Sequence, residues 1–136
     1  MPTEHVNWLA VLVAALSTFL LGGLWYSPAL FGRAWMGENH LTDEKLREGS
    51  TAKIFGLSFV LSLLMSANLA MFLAEPKTTA AWGATAGFLA GFGWVALSLT
   101  IIALFERKSW KYILINAGYM TVAFVLMGLI LGAWRR

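Results

Sequence analysis

The chain has no cysteine, and charge is scarce: Asp, Glu, Lys and Arg together make up 12% of it. Lack of cysteine excludes disulfides, thiolate nucleophiles and sulfur-ligated metals, while leaving the compartment open. The little charge present is also confined. Not one Asp, Glu, Lys, Arg or His falls within residues 6–31, 54–74, 80–105 or 112–134. Proton relays, voltage sensors and ion pathways usually display ionisable groups inside such runs, so their lack argues against those mechanisms. A nucleophile paired with a base, or a metal cluster, is missing from the runs as well, and no enzyme is expected. With hydrophobic residues at 59%, too few charges remain to cover a water-facing surface.

What fills the four runs sets the solvent. The hydrocarbon core of a bilayer is about 30 Å thick, so a crossing helix needs roughly 20 apolar residues. Each run supplies that many, and none shows the polar face that a helix in a soluble bundle keeps. The expected fold is all-α, an integral membrane four-helix bundle of antiparallel, up-down spans. Residues 1–136 form one domain, with a loop over 32–53 that carries a short helix. Met1 to Asn7 holds no Lys or Arg and the first run is too long for a signal peptide, so the first span is expected to be retained.

A sequence pI of about 9.5 would suggest nucleic acid as partner of a soluble domain. Here the basic residues flank apolar runs, which makes the lipid bilayer and its anionic headgroups the simpler partner and leaves no role for nucleic acid. Arg33, Lys45, Arg47 and Lys53 lie in the first loop and Arg107, Lys108 and Lys111 in the third, against Lys77, Arg135 and Arg136 on the other side. The positive-inside rule then puts both richer loops in the cytoplasm and both termini outside. Trp8, Trp82 and Trp134 mark the outer boundary; Trp25, Tyr26, Trp35, Trp110 and Tyr112 mark the inner one.

Helices in lipid cannot associate by expelling water, so they pack across small residues and share hydrogen bonds. Gly83, Gly87 and Gly91 recur at four-residue spacing in the third run, a glycine zipper, and Gly128 and Gly132 do so in the fourth. Ser58, Ser62, Ser66 and Ala70 form a strip in the second, and Ala14, Thr18 and Gly22 in the first. Residues four apart share a helix face. Two readings stand: the strips close the bundle on itself, or one of them, the triple glycine, joins copies into a homo-oligomer. A weak internal repeat also appears, since Trp8 precedes Ala29-Leu30-Phe31 by the interval at which Trp82 precedes Ala103-Leu104-Phe105.

The densest cluster of distinctive residues is Gly22 to Trp35. Val6 to Leu24 already suffices to cross the hydrocarbon, so Trp25, Tyr26, Ser27 and Pro28 are interfacial. Pro28 cannot donate to the Leu24 carbonyl and Ser27 is biased away from helical angles, which predicts an elbow there. The chain then runs along the inner surface to Trp35.

With its Gly-Leu-Trp-Tyr-Ser-Pro segment followed by Leu-Phe-Gly and Trp, this stretch resembles an uncharacterised family of small bacterial four-span membrane proteins, a domain of unknown function. The likeness extends to Asn7-Trp8-Leu9-Ala10, Thr42-Asp43-Glu44, Phe105-Glu106-Arg107, Ile115-Asn116-Ala117-Gly118-Tyr119, Met127-Gly128, Ile130-Leu131-Gly132 and Trp134. The resemblance implies topology and location and supplies no substrate.

Counted from the inner end of the fourth span, Asn116 lies roughly 8 Å deep and Tyr119 roughly 12 Å, level with Trp25, Tyr26 and Ser27 and with Ser58. A polar group in hydrocarbon must find partners. Asn116 and Tyr119 are therefore expected to hydrogen-bond to the elbow, for instance to the Leu24 carbonyl that Pro28 frees. The same layer could instead open as a pocket, with Arg33, Glu106 and Arg107 at its mouth. In the first loop Thr42 can cap a surface helix carrying Asp43 and Glu44, ending near Gly49, and Ser50 or Thr51 can cap the second span. His40 has no metal-like spacing around it, His5 looks inert, and neither metal nor cofactor is expected. The favoured function is a self-associating or accessory bundle that binds another membrane protein or itself. The alternative is a transporter or channel for an uncharged or small substrate, formed in an oligomer.

Overall fold

The computed structural model describes residues 6–47, 51–75 and 77–134. His5, Gly49, Ser50, Arg135 and Arg136, and the side chain of Thr51, fall outside what is described, so the roles expected of them are not addressed. Helix α1 spans Trp8–Trp25, α2 Gly32–Glu38, α3 Asp43–Arg47, α4 Thr51–Phe72, α5 Ala80–Ala90, α6 Leu97–Phe105 and α7 Trp110–Ala133. A π-helical stretch, Gly91–Ala96, joins α5 and α6 into one rod. No strand occurs among the described residues. Trp8–Trp25, Ala52–Phe72, Ala80–Phe105 and Trp110–Ala133 are each long and apolar enough to cross a membrane, the mark of a multi-pass membrane protein.

Side-chain caps start three of these rods. Asn7 accepts from the Leu9 and Ala10 amides at 3.1 Å, Thr79 from Trp82 at 3.1 Å and Ser109 from Tyr112 at 3.0 Å. Thr42 accepts from the Lys45 amide at the head of α3. At the end of α6 the Arg107 amide bonds to Leu104 and that of Lys108 to Ala103, a Schellman turn that puts Arg107 at φ 63°.

Helix α7 is the hub, packing against α1, α5, the π-helical stretch, α6, α4 and α2. Its closest contact is with α5. A Cβ on Gly83 would run into the Gly128 carbonyl, one on Gly87 into the Phe124 carbonyl and one on Gly132 into the Thr79 carbonyl. Backbone meets backbone there, an approach only glycine allows. Position numbers fall along α7 as they rise along α5. The strip Gly83, Gly87 and Gly91 thus faces its own chain, with Gly91 against the Phe124 side chain, and is not open to a second copy. The π-helical stretch begins where that glycine contact gives way to the Phe124 ring.

On the other flank α1 packs between α7 and α4. Val6, Ala10, Val11 and Ala14 meet Leu69, Ala70, Leu73 and Ala74 of the α4 end, together with Phe124, Met127 and Leu131 of α7. Ser66 is fully buried and donates to the Val11 carbonyl at 2.9 Å. This core occupies the end of the bundle where the Asn7 amide reaches the Trp134 carbonyl. Toward the opposite end, residues 52–57 of α4 are exposed, and α4 touches α1 there through Phe55 and Phe59 on Phe19.

The first apolar run is not helical throughout. Helix α1 stops at Trp25, residues 26–31 turn, and Gly32–Glu38, in the stretch expected to run along the inner surface, forms a short helix. Ala29 to Phe31 lie in that turn whereas Ala103 to Phe105 lie within α6, so the two copies of the proposed repeat adopt different local structures.

Candidate functional site

The elbow is built from its own backbone first. Proline at 28 withdraws the amide that would have served the Leu24 carbonyl, and Ser27 replaces it twice over: its amide reaches that oxygen at 3.2 Å and its hydroxyl at 2.7 Å. The Ser27 carbonyl then accepts from Leu30 at 3.1 Å and from Gly32 at 2.8 Å, while the Phe31 amide returns to the Trp25 carbonyl at 2.9 Å. A side chain on buried Gly32 would strike the carbonyls of Tyr26 and Ser27.

Three side-chain hydrogen bonds tie this elbow region and the last turns of α1 to the first half of α7. The Trp25 indole donates to the Ile115 carbonyl at 2.9 Å. The Tyr26 hydroxyl donates to Asn116 Oδ1 at 2.6 Å, and Asn116 Nδ2 donates to the Tyr112 carbonyl at 3.1 Å. Tyr119 reaches past the elbow to the Thr18 carbonyl at 2.9 Å. Asn116 therefore meets the elbow as expected of it, whereas Tyr119 bonds a turn and more earlier on α1. The Leu24 carbonyl goes to neither, because Ser27 is closer and already in place.

Rings fill the remaining space. Tyr26 stands edge-on to Trp35 and to Tyr119, each at 5.4 Å between centroids, and Trp25 lies 4.9 Å from Phe31 and 6.3 Å from Tyr119. Gly22 and Gly118 make room for them, since a Cβ at either would press on Tyr119 or Trp25 at 3.2 Å. Among the described residues no buried side-chain nitrogen or oxygen lacks a partner. The cluster is a partly buried joint whose polar contacts join α1 and the elbow to α7.

Arg33, Glu106 and Arg107 are exposed. An open groove of about 520 Å³ does exist, but on another face, lined by Trp94, Val95, Ser98, Leu99, Ile102, Ala103, Glu106 and Tyr112. Of the residues expected to form the inner-leaflet pocket, Glu106 alone lines it; Trp25, Tyr26, Asn116 and Tyr119 do not. Sequence reasoning also passed over Glu38, which accepts from the Ser109 hydroxyl and so ties α2 to the head of α7. The signal available was the capping serine itself, a hydroxyl with a spare donor.

A further omission lies on α4. Ile54, Leu57, Leu61, Leu64 and Asn68 follow one another at intervals of three and four, and all are exposed. They share the face turned away from Ser66. The Asn68 carboxamide, about 6 Å short of the helix end, has no hydrogen-bond partner among the described residues.

No curated protein and no solved structure matches the chain. The elbow, the joint on α7 and the glycine contact with α5 nevertheless lie inside one stretch, residues 9–132, that a family model matches as a unit. Since that stretch takes in all four apolar rods almost end to end, the chain belongs to the family described as protein of unknown function, DUF1761.

Proposed function

We propose that this protein works as a self-associating accessory bundle of a bacterial inner membrane, with a binding rather than a catalytic role and with α4 as the contact between copies. The observation that carries this reading is Asn68. A primary amide facing hydrocarbon without a partner costs several kcal/mol. A second Asn68 supplies both the donor and the acceptor it needs, so two copies related by a twofold axis satisfy each other. The flanking residues have the matching repeat: Ile54 and Leu61 take the a positions, Leu57 and Leu64 the d positions and Asn68 the next a. A single a-position Asn is the device that fixes register and two-strandedness in such helix pairs. Supporting it further, the glycine strip is consumed inside the chain, while Ile54, Leu57, Leu61 and Leu64 are left exposed on the same face as Asn68.

The chain's lack of cysteine makes the test direct. Leu64→Cys in membranes, treated with a short bifunctional thiol crosslinker, is expected to give a covalent dimer, and Ile102→Cys on the opposite flank is not. Adding Asn68→Leu to Leu64→Cys is expected to cut the dimer about threefold or more, in line with about 0.6 to 1.7 kcal/mol for one interhelical hydrogen bond in a bilayer. Asn68→Gln, which keeps the amide, should retain most of it. Equal crosslinking at both positions, or none at Leu64→Cys, would overturn α4 as the contact.

A further inference from the structure

The groove between α6 and the head of α7 holds no residue of α4 and plays no part in the proposed dimer. From Trp94 to Glu106 it runs along about 18 Å of helix, close to the roughly 15 Å depth of one leaflet. Its wall is apolar along that length: Trp94, Val95, Leu99, Ile102 and Ala103 present only hydrocarbon and indole, and the Ser98 hydroxyl is turned inward to donate to the Trp94 carbonyl. Polarity is concentrated at one end. There Glu106 and Tyr112 line the groove, and Lys108 Nζ stands 5.2 Å over the Tyr112 ring. Arg107, held beside Glu106 in a left-handed conformation by the turn that closes α6, adds a second exposed cation.

A leaflet-deep apolar slot that ends in one anion and two cations is complementary to a molecule with a long chain, a phosphate and an ammonium group. We propose that the groove is a binding site for one zwitterionic aminophospholipid. An acyl chain lies along Trp94 to Ala103, the phosphate meets Lys108 and Arg107, and the primary ammonium meets Glu106. The carboxylate is what separates this lipid from others. A purely anionic headgroup would meet Glu106 with like charge, and a quaternary ammonium would offer it no N–H. The exposed face of α1 at Leu12, Leu16, Leu20 and Leu24, equally apolar and outside the proposed dimer contact, serves as the internal control.

The experiment places the full-length protein in phosphatidylcholine vesicles that contain a minor fraction of a phospholipid with a photoreactive acyl chain, bearing an ethanolamine, glycerol or choline headgroup. Adducts are mapped by mass spectrometry after irradiation. The ethanolamine probe is expected to label residues 94–106 about fivefold more than the choline probe, as one charge-assisted contact of about 1 kcal/mol requires. The two should label the α1 face alike. Glu106→Gln should remove the ethanolamine preference while leaving choline labelling unchanged. Ala103→Phe, which fills the slot, should abolish groove labelling for every probe and leave that of α1 intact, which reports that the bundle still folds. Equal labelling by all three probes means annular lipid only and overturns the site. A preference for the glycerol probe overturns the role given to Glu106. Absence of groove labelling with α1 still labelled overturns lipid as the occupant. Asn68→Leu should raise the labelling of α4, which the dimer otherwise covers, and leave that of the groove unchanged, so failure of the dimer and failure of the lipid site are separately visible.

Discussion

Asn116 is the middle link of a polar chain, accepting from Tyr26 and donating one turn back along its own helix. Replacing it by leucine takes the acceptor from the Tyr26 hydroxyl and leaves that group in an apolar joint among Trp35 and Tyr119. The expected cost of Asn116→Leu is about 1–3 kcal/mol, the penalty for a buried donor left unmade. Tyr26→Phe removes the other partner. The double variant should then lose less than the two single losses added together, because once the hydroxyl is gone the missing acceptor no longer matters. Denaturant titration of the four proteins in mixed micelles measures the cycle. Strict additivity would show that Tyr26 finds another acceptor and that Asn116 contributes through its own helix alone. The joint also explains why the elbow carries serine before proline: Ser27 meets the need that Pro28 creates without drawing on α7, which leaves Asn116 free for Tyr26.

Each rod has its own way of meeting its neighbour, and glycine shows the difference. Gly87 touches the α7 backbone at Phe124, whereas Gly56 of α4 has open space where a side chain would go. Gly87→Leu is expected to push α5 off α7 and cost about 1–3 kcal/mol or more, the range for overpacking a tight contact. Gly56→Ala, in an exposed helix, should stabilise by about 0.5–1 kcal/mol through reduced backbone freedom in the unfolded chain. Thermal unfolding in detergent, followed by circular dichroism, separates the two; destabilisation by both would mean that Gly56 is covered by something. The four-residue glycine spacing was readable from the sequence because its physics is local: residues four apart stack on one face whatever surrounds them. Which strip faced which neighbour was not readable, since that depends on α7 being the hub. The elbow was legible for a similar reason, proline acting within a single turn. The π-helical stretch at Gly91 was not, because nothing in 91–96 announces the Phe124 ring that meets it from 30 residues away. The heptad on α4 was present in the sequence but hidden, for leucines at intervals of three and four do not stand out in a run that is apolar on every side.

For the molecule as a whole, geometry and charge make separable claims about the membrane. The Asn7 side chain and the Trp134 carbonyl approach to 3.5 Å, so the two ends of the described bundle meet, and the connection that holds Lys77 follows the part of α4 packed beside them. Glu44 on α3 and Lys111 at the head of α7 belong to the other end, where the Ser109 hydroxyl reaches Glu38. If the four rods cross a bilayer, Lys77 must lie on the face opposite Glu44 and Lys111, whichever way round the protein sits. The positive-inside rule predicts the direction, with the elbow end cytoplasmic, because Arg33, Lys45, Arg107, Lys108 and Lys111 belong to that end. In this cysteine-free chain, Lys77→Cys is expected to react with an impermeant maleimide added to intact cells, and Glu44→Cys and Lys111→Cys only after the membrane is opened. The inverse pattern would overturn the orientation and leave the crossing intact. Simultaneous labelling of Lys77→Cys and Lys111→Cys from one side would be more serious, since no arrangement of these rods through a bilayer puts both positions on the same face.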